Sequence, residues 1–250
     1  MQAVDLPAQA LQANKELEVA YTEPLEKWKD LWKQEHDKGR SLSIPIFVKA
    51  QPSYFEAMPR IMFVGQETHG WWTEHEGDKA SLTSHEIMAY YERTWEWLVV
   101  KYHSSPYWQA IRKITQTLNL VGRPHSFLFT NIFPCDVDQK QAPLELHDHF
   151  RDWQILSKEL SILAPSHVIF FCGREYYGNL KAYFGSWPDQ NVSGTTPVVN
   201  YQPEGMPWKG IVTYHPAYFR RSNQWEALDD IIRFIQADSP VGTDPSTSSG

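Results

Sequence analysis

The chain has 250 residues, 42% of them apolar, enough to bury a sizeable core in one large domain or two small ones. A net charge of −7 argues against a protein that coats nucleic acid, which needs clustered cations, but allows a local cationic face on an otherwise acidic molecule. The two cysteines, Cys135 and Cys172, cannot build a four-cysteine metal site, and no apolar run reaches membrane-spanning length.

The N-terminus lacks a basic segment followed by an apolar run, so no signal peptide is expected and a reduced, cytoplasmic protein is. Residues 1–13 are weakly patterned. Pro24 suits the first turn of a helix, and Leu25, Trp28, Leu31 and Trp32 recur at helical spacing. This predicts a helix over 24–38, ending near Gly39. Residues 1–50 thus read as a helical extension packed on a main domain, 51–237.

Four short apolar runs follow: Ile61-Met62-Phe63-Val64, Phe127-Leu128-Phe129-Thr130, Val168-Ile169-Phe170-Phe171 and Ile211-Val212-Thr213-Tyr214. Continuous apolar runs of this length suit strands buried on both faces of a parallel sheet. Helical patterns occupy 84–101, with Ser84 as N-cap and Glu86 in the first turn, then 106–119, 144–163, 174–184 and 223–236. Residues 185–209 carry several Gly and Pro, show no clear period, and leave room for one short strand near Val198. Residues 238–250 (DSPVGTDPSTSSG) read as a disordered tail. Strands alternating with helices predict a three-layer α/β/α sandwich around a mostly parallel, four-stranded sheet.

Ligands of such sheets bind beyond the carboxyl ends of the strands. Glu67, Asn131, Gly173 and His215 converge there. A carboxylate orients water or stabilises a sugar cation, an amide reads the edge of a nucleobase, and a histidine bonds an oxygen that gains charge. Aromatic side chains can sandwich a flipped base. Together these are the parts of an N-glycosidase.

The four segments resemble the motifs of the uracil-DNA glycosylase superfamily, in order. GQETHGW (65–71) is similar to the water-activating motif, GQDPYH in the best-known branch. LFTNIF (128–133) is similar to the strand whose Asn reads the base. FFCGRE (170–175) is similar to the turn that approaches the DNA backbone, and HPAYFRR (215–221) to the HPSPLS motif. The resemblance spans roughly 60–235 and implies the strand order 2-1-3-4. It makes Glu67, Asn131 and His215 the catalytic set. Gln66, His69, Trp71, Trp72 and Phe133 would bind the substrate. Gly173, Arg174, Tyr218, Phe219, Arg220 and Arg221 would meet DNA, with Phe219 as the wedge that replaces the flipped nucleotide. No metal, cofactor or obligate protein partner is implied; DNA is the partner.

Two departures bear on the substrate. Glu67 stands where the family has Asp, and His69-Gly70 stands where a Tyr normally blocks 5-substituted bases. Trp71 and Trp72 follow at once; adjacent rings cannot both face one core, which leaves one for a ligand. A turned Asn amide matches cytosine. These features lean toward a C5-modified cytosine, such as glucosylated hydroxymethylcytosine in phage DNA, attacked as antiviral defence. Uracil excision in repair, a catalytically silent nucleic-acid binder and a partner-binding scaffold remain open. His147 and His149 lie two residues apart on a predicted helix and face apart, against a metal pair.

Overall fold

The computed structural model describes residues 5–72, 75, 77–98, 104–118, 120, 125–186 and 198–237. Its centre is a five-stranded, mostly parallel sheet: β1 (Ile61–Gly65), β2 (Leu128–Asn131), β3 (His167–Phe171), β4 (Val198–Tyr201) and β5 (Lys209–Thr213). The spatial order is β2-β1-β3-β5-β4, with only β4 antiparallel. The sheet thus has five strands rather than the expected four, and its order differs accordingly. Val199 and Tyr201 are buried in β4 while Asn200 is exposed, the alternation of an edge strand covered on one face. Gly210, opposite Tyr201, has no space for a Cβ beside the Tyr201 carbonyl and the Trp208 ring.

Helices cover both faces. Phe63, Phe129 and Phe171 share one face by register, and the first turn of α4 (Pro106–Thr117) packs there: Tyr107 sits edge-on to Phe171 and Trp108 edge-on to Phe129. α9 (Ala227–Ala237) packs beside α4. On the opposite face Phe170 and Tyr201 meet Phe184 of α7 (Tyr177–Phe184). The free edge of β2 is covered by α3 (Ser84–Glu96): the Tyr91 hydroxyl donates to the Phe129 carbonyl and accepts from its N–H, both at 3.1 Å. The N-cap of α3 is Thr83 rather than Ser84, in a reciprocal capping box with Glu86.

The first helix is longer than its periodic half suggested. α1 runs Leu6–Asp37, capped by Asp5, with Ala10, Ala13, Leu17, Tyr21, Leu25, Trp28 and Leu31 buried along one stripe. Pro24 lies inside it rather than at its start. The carbonyl of Ala20, deprived of a Pro24 N–H, accepts from Lys158 Nζ at 3.4 Å. α1 shares one apolar cluster with the sheet, and Tyr21 donates to the fully buried Glu159 at 2.7 Å. Burial pushes the Glu159 carboxyl up to about 7. The helix expected over 144–163 is two, α5 (Leu144–Asp152) and α6 (Ile155–Leu163), because Gln154 takes a left-handed conformation between them. α2 (Pro52–Glu56) and α8 (Pro216–Arg221) are short additions. No described helix is long and apolar enough to cross a membrane. The tail from 238 and residues 187–197 of the excursion lie outside the described residues.

Candidate functional site

Parallel register sets the site. Gly65 pairs with Asn131, so β1 and β2 end side by side. A Cβ on Gly65 would run into the Asn131 amide, so glycine is what lets that amide lie across the strand end. In the orientation that satisfies both its ends, Nδ2 donates to the Thr130 carbonyl (3.0 Å) and Oδ1 accepts from the Thr68 N–H (3.3 Å). One N–H and one lone pair are then left for a ligand.

A cavity of about 860 Å³ opens at this edge. Its walls are the β1 loop from Gly65 to Trp72, Asn131, His215, the start of α4 with Tyr107 and Trp108, and the end of α3 with Tyr90, Thr94 and Trp97. The β1 loop is anchored from beneath by Asp136, which is 1% exposed. Asp136 Oδ2 accepts from Thr68 Oγ1 (2.7 Å) and Gly70 N (2.8 Å), Oδ1 accepts from Gln139 N (3.0 Å), and the Asp136 N–H donates to Ser43 Oγ (2.9 Å).

Glu67 is half-buried in the cavity wall. Burial pushes its carboxyl up to about 7; the Tyr176 hydroxyl, which donates to Oε2 at 2.5 Å, opposes the shift, and the nearby Asp136 and Glu175 add to it. Gln66 ties the same loop to β3, donating from Nε2 to the Cys172 carbonyl (2.8 Å) and to Glu175 Oε1 (3.4 Å).

His215 is the N-cap of α8 and accepts from Ala217 N through Nδ1 at 3.2 Å. That bond places the ring proton on Nε2. Burial, with Arg221 nearby, lowers the imidazole to about 4, so the ring is neutral around pH 7 and offers an N–H donor. Its face stacks on Tyr107, centroids 5.7 Å apart and planes 11° apart.

No family model matches the chain, and no curated protein matches it.

The expected site residues fall into three groups. Gln66, Glu67, His69, Trp71, Trp72, Asn131 and His215 all line the cavity, with His69 exposed. Trp71 and Trp72 do not diverge: both are half-buried on Tyr90, Trp71 edge-on at 5.2 Å and Trp72 stacked at 4.2 Å. Positive φ at Gly70 and Trp72 breaks the alternation that would have sent the rings apart. Gly173, Arg174, Tyr218, Arg220 and Arg221 lie outside the cavity wall. Gly173 has φ +82° and shares the Thr213 carbonyl with Cys172, while Arg174, Arg220 and Arg221 are exposed. Arg220 lies over the Trp225 ring, 4.9 Å from its centroid, and bonds Gln109.

Two placements correct the expectation. Phe133 is fully buried against His147, Phe150 and Tyr176 and is core, not pocket. Phe219 is fully buried as well, on the inner side of α8, so it is not available as a wedge. Its neighbour Tyr218, 37% exposed and stacked on Tyr214, is the exposed ring of that helix.

Tyr107, Asp136, Gln141 and Tyr176 were missed as site residues. Tyr107 had a signal: the first turn of a crossover helix lies at the carboxyl edge of a parallel sheet. Among the described residues no group of three His, Cys, Asp or Glu side chains is placed to hold a metal ion. The arrangement combines a planar amide, a carboxyl that changes charge near neutrality, a neutral N–H donor and aromatic walls. Such a set can hold a flat heterocycle and act on a bond at its edge.

Proposed function

We propose that the protein is a DNA glycosylase of the uracil-DNA glycosylase type, which takes a flipped pyrimidine into the cavity and hydrolyses its N-glycosidic bond. The observation that carries this reading is the Asn131 amide, given room by Gly65 and placed in one cavity with Glu67 and a neutral His215. Asn131 reads the base edge. His215 Nε2–H bonds the base oxygen as charge moves onto the leaving group. Glu67, once ionised, stabilises the sugar cation and directs water to C1′, leaving an abasic site. Arg174, Arg220 and Arg221 hold phosphates, and Tyr218 rather than Phe219 supplies the aromatic at the gap in the stack.

The substrate leans to a cytosine enlarged at C5. At about 860 Å³ the cavity is in the range that encloses a drug-sized ligand, beyond what a bare pyrimidine needs. Its aromatic wall of Trp71, Trp72 and Tyr90 suits a sugar face as well as a base. In this reading the protein acts against phage DNA in the cytoplasm.

Abasic-site formation on a panel of DNAs tests the proposal. The panel contains uracil, thymine, cytosine, 5-hydroxymethylcytosine and glucosylated 5-hydroxymethylcytosine, with Glu67→Ala and Asn131→Ala as controls. Release of an enlarged cytosine, lost in both variants, supports it. Release of uracil alone moves the protein to repair. Salt-sensitive DNA binding without release from any substrate removes the catalytic claim.

A further inference from the structure

Glu67 reaches its place through a flexible side chain, and what holds it there comes from another element. Tyr176 ends the tight turn after β3 (Arg174–Tyr176), is 2% exposed, and packs its ring near Phe133 with centroids 5.9 Å apart. Its hydroxyl donates to Glu67 Oε2 at 2.5 Å and accepts from Gln141 Nε2 at 3.1 Å. A phenol has one proton, so Gln141 fixes the direction of the chain: amide to phenol to carboxylate. Glu67 Oε1 has no partner among the described residues.

We propose that Tyr176, held by Gln141, is the positioning residue of this site: it fixes Glu67 through Oε2 and leaves Oε1 to act on the ligand. For the reacting water the assignment rests on the glycosylase reading; for the geometry of Glu67 it stands alone. The titratable groups facing Glu67 are Asp136 from the loop after β2, and Glu175 and Tyr176 from the turn after β3. Lys140, His69 and His215 line the same cavity. The Tyr176 hydrogen bond favours the charged carboxylate against burial and two acidic neighbours.

The test is Tyr176→Phe, which keeps the ring and its packing and removes only the hydroxyl. The first readout needs no substrate: the titration midpoint of the Glu67 carboxyl by carbon-detected NMR. It rises by about one pH unit in Tyr176→Phe, and less in Gln141→Ala. The second readout is kcat/KM against pH for base release, whose acid limb reports the free enzyme. That limb moves up by the same amount, and release above it falls about tenfold. In a Glu67→Gln background Tyr176→Phe adds no further loss, because the two act as one unit. An unmoved Glu67 midpoint in Tyr176→Phe overturns the proposal, as does a loss that adds fully to that of Glu67→Gln. A shifted midpoint in a protein that releases no base leaves the positioning role standing and removes the glycosylase reading.

Discussion

Asp136→Ala is the substitution with the largest expected effect on both fold and site. The carboxylate is 1% exposed and takes three donors, the Thr68 hydroxyl and the N–H groups of Gly70 and Gln139. Hydrogen bonds to a charged group contribute about 1.5–3 kcal/mol each, and a buried donor left without a partner costs about 1–3 kcal/mol. The three share one acceptor and are not additive, so the expected loss is about 4 kcal/mol, a large part of the stability of an ordinary domain. Asp136→Asn keeps the shape, leaves one oxygen for Thr68 and Gly70, and turns an NH₂ toward the Gln139 N–H; it costs about 2 kcal/mol. Urea unfolding with an unchanged m-value measures both. Thr68→Val, costing about 1 kcal/mol alone, adds little once Asp136 is alanine. A loss below about 1 kcal/mol for Asp136→Ala, or full additivity with Thr68→Val, would refute the idea that this carboxylate anchors the loop carrying Glu67.

Three other outcomes follow from the geometry. Gly65→Ala drives the Asn131 amide off the strand end and abolishes base release as fully as Asn131→Ala, at a stability cost of about 1–3 kcal/mol read by thermal unfolding; retained release shows that the amide position is not needed. Glu67→Gln has a pH-dependent effect on stability. With the folded carboxyl at about 7 against 4.5 for the free group, the native state holds a proton that the unfolded chain has lost between those values, so wild-type stability falls as pH rises through that window. The variant is therefore more stable than wild type at pH 8 and equal to it at pH 4; Glu159, shifted the same way, is present in both proteins and cancels. Tyr107→Phe removes a buried hydroxyl that has no partner among the described residues, and leaves Tm unchanged or higher; a fall of more than about 2 °C reveals a partner.

Much of the site was legible because its residues follow apolar runs. Strands buried on both faces cannot hide their composition, and the residue after each falls at the carboxyl edge by topology. That logic brought Glu67, Asn131 and His215 together, and the structure lines one cavity with all three. What was not legible has physical reasons. β4 falls where one short strand was expected near Val198, but it alternates over only four residues, too few to show that it joins the central sheet as a fifth, antiparallel strand. The first half of α1 buries Ala10 and Ala13, whose small side chains give a weak stripe, and Pro24 reads as a helix start because proline is so often one. The break at Gln154 carries neither Gly nor Pro. Phe219 and Tyr218 differ by one position on a short helix, and one position turns a side chain by about 100°. Tyr176 reaches Glu67 from a different strand end, and no spacing along the chain encodes that contact.

The added methylene of Glu67 relative to aspartate has a consequence that separates reach from charge. A longer side chain loses more rotamer freedom when fixed, so it serves a site only if something else holds it. The Tyr176 hydroxyl, on a ring packed near Phe133, is that restraint, and it stands where the Glu67 carboxylate, not a shorter one, arrives. Glu67→Asp keeps the charge but withdraws the carboxylate from the hydroxyl by roughly one bond length. A displacement of about 1 Å in a reacting group costs on the order of 10²-fold in rate. Glu67→Asp should therefore lose base release nearly as completely as Glu67→Gln, while DNA binding, measured on an oligonucleotide with a stable abasic analogue, stays within about twofold. If Glu67→Asp instead works as well as wild type, the carboxylate acts through its field alone, and its tether to Tyr176 has no part in the reaction.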